Sequence, residues 1–121
     1  MSPEEITAQL NLKPDRVVRK GEQSVRRTVL RNGWFRTTQG RTASRDICFH
    51  IALLMKLFSS RKKKLVGLKK KKCELRIMCF WESASGNGGP FLEHEFLREL
   101  STFPVDLDFD VWFAEEAMKK A

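Results

Sequence analysis

One stretch, Cys73 to Leu100, constrains what this chain can fold into more than any other. It passes from a strand pattern through a glycine loop into a helical pattern. Cys73, Leu75, Ile77, Cys79 and Trp81 occupy alternate positions, the period of a strand with one buried face. Ser85-Gly86-Asn87-Gly88-Gly89-Pro90 ends it, because glycine and asparagine tolerate positive φ and proline lacks a backbone donor. After Pro90 the apolar residues Leu92, Phe96, Leu100 and Phe103 return at helical spacing. A second alternation follows, with Val105, Leu107, Phe109, Val111 and Phe113 facing inward and Asp106, Asp108 and Asp110 facing out.

The segments before this stretch read as shorter elements. Pro3 to Leu10 is a helix capped by Ser2, with Pro3 in its first position and Glu5 completing a capping box. Asn11 and Pro14 stop it. Asp15 to Gln23 is polar and ends in a turn at Lys20-Gly21-Glu22. Val25 to Thr38 carries strand-type residues around Asn32-Gly33, the strongest short hairpin signal, and reads as two short strands or one bulged strand. Thr42 to Phe58 is the main helix, capped by Thr42 or Ser44, with Ile47, Ile51, Leu54, Met55 and Phe58 as its buried stripe. Leu65, Val66 and Leu68 interrupt the basic stretch that follows and read as a helical turn anchored to the core. From Ala114 the tail is expected to fray.

At 121 residues the chain makes one domain, 1–121, with one modest core. Its net charge of +8 is local. Eight of the 23 basic residues lie in 61–72 without an acid, and the others only balance the 15 acids. The chain is therefore polarised, which bears on encounter and solubility more than on fold. Ile47 to Phe58 is too short to span a bilayer, and no membrane role is expected. The first residues lack the basic and apolar regions of a signal peptide. Three cysteines without a CxxC pair suit a reducing compartment, so a cytoplasmic location is expected.

Taken in order, these signals form a recognisable series: Pro3-Glu-Glu-Ile-Thr, Leu12-Lys-Pro14, the Lys20-Gly21 turn, Gly33-Trp34, a long helix, a strand into Gly86-Asn-Gly-Gly-Pro, a helix and an acidic-apolar strand. The chain resembles the mostly bacterial family called domain of unknown function 4279 over nearly its whole length. That resemblance implies a compact α+β domain with two or three helices on one face of a mostly antiparallel sheet, in the manner of a ferredoxin-like sandwich. It carries over no reaction, cofactor or catalytic residue. Members usually begin with a strand before the first helix, so the resemblance also implies a missing leading strand. A sheet short of a strand has an open edge, and a homodimer or a strand-donating protein partner is expected there. That edge is expected beside Cys73 to Trp81 or the Val25–Thr38 segment, where Val29, Phe35, Met78 and Phe80 offer apolar side chains.

Candidate chemistry is sparse. The glycine loop enters a helix, where backbone N–H groups can hold an anion, but it lacks the lysine and spacing of a P-loop and reads first as a tight connection. Lys62, Lys63, Lys64, Lys69, Lys70, Lys71 and Lys72 could contact phosphate or nucleic acid, although no aromatics are interleaved to stack on bases. Trp34, Arg36, Glu82 and Asn87 form a candidate recognition surface. Asp106, Asp108 and Asp110 lie about 6–7 Å apart along a strand, too far for one ion without other ligands, and suit edge protection or pairing with Arg76. His50 has Asp46 one turn earlier for an ordinary ion pair, and His94 has no evident third ligand. Cys48, Cys73 and Cys79 read as core thiols. No catalytic set, metal site or cofactor is expected. The reading is a small non-enzymatic domain that binds protein, then a nucleic-acid-binding accessory, then a small hydrolase using Glu82 and Glu93.

Overall fold

The structure, a computed structural model, describes residues 1–23, 25–83 and 88–113. Among them the chain is an α+β domain. Helix α1 (Pro3–Leu10) forms as its sequence dictates: Glu5 N donates to Ser2 Oγ at 3.2 Å, and Ser2 N donates to Glu5 Oε1 at 3.3 Å. Asn11, at φ +50°, closes it.

Strands β1 (Arg16–Val18) and β2 (Gly33–Phe35) pair antiparallel, with Val17 opposite Trp34. Of the two short strands, or one bulged strand, expected within Val25–Thr38, one short strand is present, Gly33–Phe35, and its partner comes from the polar stretch before it. Asn32-Gly33 is not the turn of the hairpin. The Asn32 amide is used over long range, its Oδ1 accepting from Lys20 N at 2.7 Å and its Nδ2 donating to the Met1 carbonyl at 3.0 Å. Gly33 is needed for space, since a Cβ there would lie 2.7 Å from both Val18 Cγ2 and Phe35 Cε2. Gly21, at φ +92°, makes the expected local turn, with Glu22 N donating to the Arg19 carbonyl, and the two arms run on past it, Gly21 N donating to the Val29 carbonyl and Gln23 bridging Thr28.

Helix α2 (Ile47–Phe58) begins later than expected, capped by Asp46, whose Oδ1 accepts from Cys48 N at 3.0 Å. Thr42 and Ser44 serve as successive side-chain turns, Thr42 Oγ1 accepting from Ser44 N and Ser44 Oγ from Asp46 N. His50 does not pair with Asp46. It ties this approach to the helix, with Nε2 2.6 Å from the Ser44 carbonyl and Nδ1 2.6 Å from Thr38 Oγ1. A short 3₁₀ turn, Ser59–Arg61, then leads into α3 (Lys62–Lys70).

Strand β3 (Arg76–Ser83) starts three residues after Cys73 and keeps its alternation, with Cys79 and Ser83 buried on the inner face. Helix α4 (His94–Leu100) and strand β4 (Asp106–Phe113) follow. β3 and β4 pair in parallel, Arg76 opposite Asp106 through to Ser83 opposite Phe113. A mostly antiparallel sheet is thus corrected to two separate pairs, the shorter antiparallel and the longer parallel. The reason is connectivity: β3 returns to β4 through α4, and a strand–helix–strand crossover makes parallel neighbours.

The core joins Leu10 of α1, Ile47, Ile51 and Met55 of α2, Leu65 and Leu68 of α3, Cys79, Leu100 and Phe103. Leu75, Ile77, Trp81, Phe96 and Phe109 pack against it. Leu92 is only half-buried and stands outside that cluster, and Val111, expected inside, is exposed near the far end of β4. The glycine-loop residues 84–87, the inward side chain expected of Phe113 and the tail from Ala114 lie outside the described residues.

Candidate functional site

The basic segment is an ordered helix with a wet side. Leu65 and Leu68 lock α3 into the core, which turns Lys63, Lys64, Lys69, Lys70, Lys71 and Lys72 outward. Two members of the stretch have structural duties instead. Arg61 donates to the Leu10 carbonyl at 2.8 Å through Nε, to Leu57 at 2.7 Å through Nη1 and to Asn11 at 3.4 Å through Nη2. It thereby satisfies carbonyls at the C-terminal ends of α1 and α2, where a cation also suits the helix dipoles. Lys62 is half-buried, with Nζ donating to Thr102 Oγ1 at 2.7 Å and lying 4.5 Å from the Phe103 ring centroid.

The three described residues of the candidate recognition surface, Trp34, Arg36 and Glu82, do not come together. Trp34 packs inward, its Nε1 donating to Thr7 Oγ1 at 3.1 Å. Arg36 donates to the Lys13 carbonyl at 2.9 Å and lies 3.9 Å from Asp15. Asp15 is held mainly by Arg41, which reaches both carboxylate oxygens at 2.8 Å, while Thr37 N donates to it at the same distance. This cluster fixes the strand ends of the small sheet. Asn87 lies outside the described residues. Glu82 alone stands on an exposed face, in an open hollow of about 370 Å³ with Phe80, Trp81 and Trp112.

Glu93 belongs to a different hollow of about 460 Å³, lined by Arg45, Cys48, Trp81, Phe91 and Phe96 among others. The two carboxylates named for hydrolysis therefore share no cavity. Trp81 borders both hollows, and its Nε1 is buried without a hydrogen-bond partner among the described residues. Cys48 donates to the Phe91 carbonyl at 3.3 Å, and burial raises its thiol pKa. Burial, reinforced by Asp108, pushes Cys79 up to about 11. Both thiols are thus held away from the reactive thiolate form. His94 accepts from Arg98 Nη2 at 2.8 Å, one turn along α4. The glycine loop does not abut a helix start, because regular helix begins only at His94.

What sequence reasoning underrated is the outer face of the parallel pair. Arg76, Met78, Phe80 and Glu82 share it with Asp106, Asp108 and Asp110 of β4. Arg76 Nη1 lies 3.5 Å from Asp108 Oδ2, the pairing expected from the sequence. Met78 is 55% and Phe80 73% exposed, so this face has no cover among the described residues. The even-numbered apolar positions of Arg76–Glu82 were the available signal.

The profile of the domain of unknown function DUF4279 matches residues 1–114. The chain belongs to this family. No curated protein and no solved structure matches it. The series of signals that marks DUF4279 in the sequence maps onto structural duties here: the capping box closes α1, Gly21 makes the turn, and Gly33-Trp34 fits β2 against β1 and α1. No helix of the described residues is long and apolar enough to cross a membrane.

Proposed function

We propose that this DUF4279 chain is a small non-enzymatic binding domain that acts by protein contact, with the free edge and outer face of β3 as its docking surface. The observation that carries this reading is that β3, eight residues long, has one backbone neighbour among the described residues and exposes Met78 and Phe80 beside the unpaired edge. A long apolar edge strand without proline or bulge is a template for a further strand. Strand addition there would widen the sheet beneath its helices, toward the ferredoxin-like sandwich implied by the resemblance. The three free thiols accord with a cytoplasmic setting.

The test is affinity capture from the native host's extract at moderate salt after nuclease treatment, comparing the parent with Phe80→Lys. Phe80 is exposed, so the variant should fold like the parent. A protein retained by the parent and lost by Phe80→Lys, with slowed amide exchange over residues 76–82 in the complex, supports the reading. Equal retention by both sinks it.

A second reading is favoured by α3, which lifts six lysines away from the core along one helix and its end. Phosphate contacts would make nucleic-acid affinity fall steeply with salt. Replacing Lys69 to Lys72 with Gln should then abolish retention of DNA or RNA without disturbing the fold.

A further inference from the structure

Resting on the reading of β3 as a docking edge, we infer that its occupant is a second copy of this chain, joined by antiparallel pairing of β3 with β3 about a two-fold axis at Cys79. The backbone itself selects which groups meet. Asp106 N donates to the Leu75 carbonyl at 2.9 Å, so Leu75, Ile77, Cys79 and Trp81 aim their backbone groups at β4. Alternation leaves Arg76, Met78, Phe80 and Glu82 aiming theirs at the free edge, and these also carry the outer-face side chains.

The charges then select one register. With Cys79 opposite Cys79 of the copy, Arg76 faces Glu82 of the copy at both ends, and Met78 faces Phe80 of the copy between them. Opposite charges and apolar pairs directly across strands are the favourable combinations, and each such pair exchanges two backbone hydrogen bonds. Moving the axis to Met78 keeps the faces matched but opposes Glu74 with Glu82 and Arg76 with Phe80. Glu82 enters no ion pair among the described residues, whereas Arg76, 3.8 Å from Glu74 and 3.5 Å from Asp108, keeps further donors among its five N–H groups. The other edge is closed to self-pairing, since β4 paired with its copy about Asp108 would oppose Asp106 with Asp110 and Asp108 with itself. Association about β3 therefore stops at a dimer with strand order β4, β3, β3, β4, a closed isologous assembly.

The register is tested by charge exchange. Sedimentation velocity at micromolar concentration should show the parent as a dimer, and Arg76→Glu and Glu82→Arg each as monomers, because each variant opposes like charges at both ends. An equimolar mixture of the two should dimerise again, since every opposed pair is then Glu with Arg. A monomeric parent, or a mixture that stays monomeric, overturns the proposal. Arg76→Glu also removes the internal contact with Asp108, so a second measurement is independent of charge. Met78→Cys and Phe80→Cys, made in a Cys48→Ser, Cys73→Ala, Cys79→Ala background so that no native thiol meets its copy across the axis, should cross-link on oxidation faster when mixed than either does alone. A mixture no faster than its components equally overturns the register. Should the parent be monomeric while Phe80→Lys still loses a captured host protein, self-pairing fails and the docking edge stands. Should Phe80→Lys lose nothing as well, both fail.

Discussion

At the scale of single residues, the informative positions are those whose partners lie far away in sequence. Asp15 stands in a polar stretch with no local pattern, yet it accepts from Arg41 and Thr37 and lies 3.9 Å from Arg36 Nε. The Arg41 hydrogen bonds first, and the Thr37 N–H next, hold its carboxyl well below the usual aspartate range. A folded-state pKa below the unfolded value of about 4 gives stability that is fully present above that value and lost progressively below it, as pH falls through the lower folded-state pKa. The parent should therefore lose melting temperature on acidification below about pH 5. Asp15→Asn should melt lower than the parent at neutral pH and converge with it in acid. Thermal melts across that range check this, and a constant gap between the two curves would count against the cluster. Trp34 teaches the same lesson: the partner of its indole N–H, Thr7, belongs to a helix 27 residues earlier.

Elements were legible wherever local chemistry decides them. The α1 capping box, the stripe of Ile47, Ile51 and Met55, and the inner face of β3 and, as far as Phe109, of β4 all follow from spacing alone. β1 was not legible, because three residues with two half-buried positions carry no period. The direction of β4 was in fact available, since a helix between two strands implies a parallel return, but alternation reports which face is buried and is silent on direction. α3 shows an element at odds with its own ends. Lys62, Lys63 and Lys64 occupy its first turn, where the helix dipole disfavours cations. At the other end Cys73 N donates to the Leu68 carbonyl and Lys72 N to Lys69, a Schellman arrangement that forces Lys72 to φ +67°. Glycine takes that conformation without strain, so Lys72→Gly should stabilise the protein by about 1 kcal/mol. A chemical-denaturation midpoint that fails to rise would show that the lysine side chain offsets its backbone strain.

At the scale of the whole molecule, the parallel pair divides the protein into a buried side and a bare one. Four helices contribute to the core beneath β3 and β4, while Met78 and Phe80 stand on the opposite face. Burial should therefore separate substitutions of similar size. Ile51 is 1% exposed at the centre of the core, and Ile51→Ala removes buried methyl groups from a site that cannot fully collapse, a cost of about 2–5 kcal/mol. For a domain of this length that is a large part of total stability. Phe80→Ala deletes more atoms, yet at 73% exposure it takes little apolar surface out of the folded monomer and should cost below about 0.5 kcal/mol. The comparison belongs at low protein concentration, where self-association through β3 contributes least. Under those conditions Ile51→Ala should unfold near physiological temperature and Phe80→Ala should melt with the parent. If Phe80→Ala instead melts as low as Ile51→Ala, the outer face of β3 is part of the folding core, and neither a partner protein nor a second copy has an open edge on which to dock.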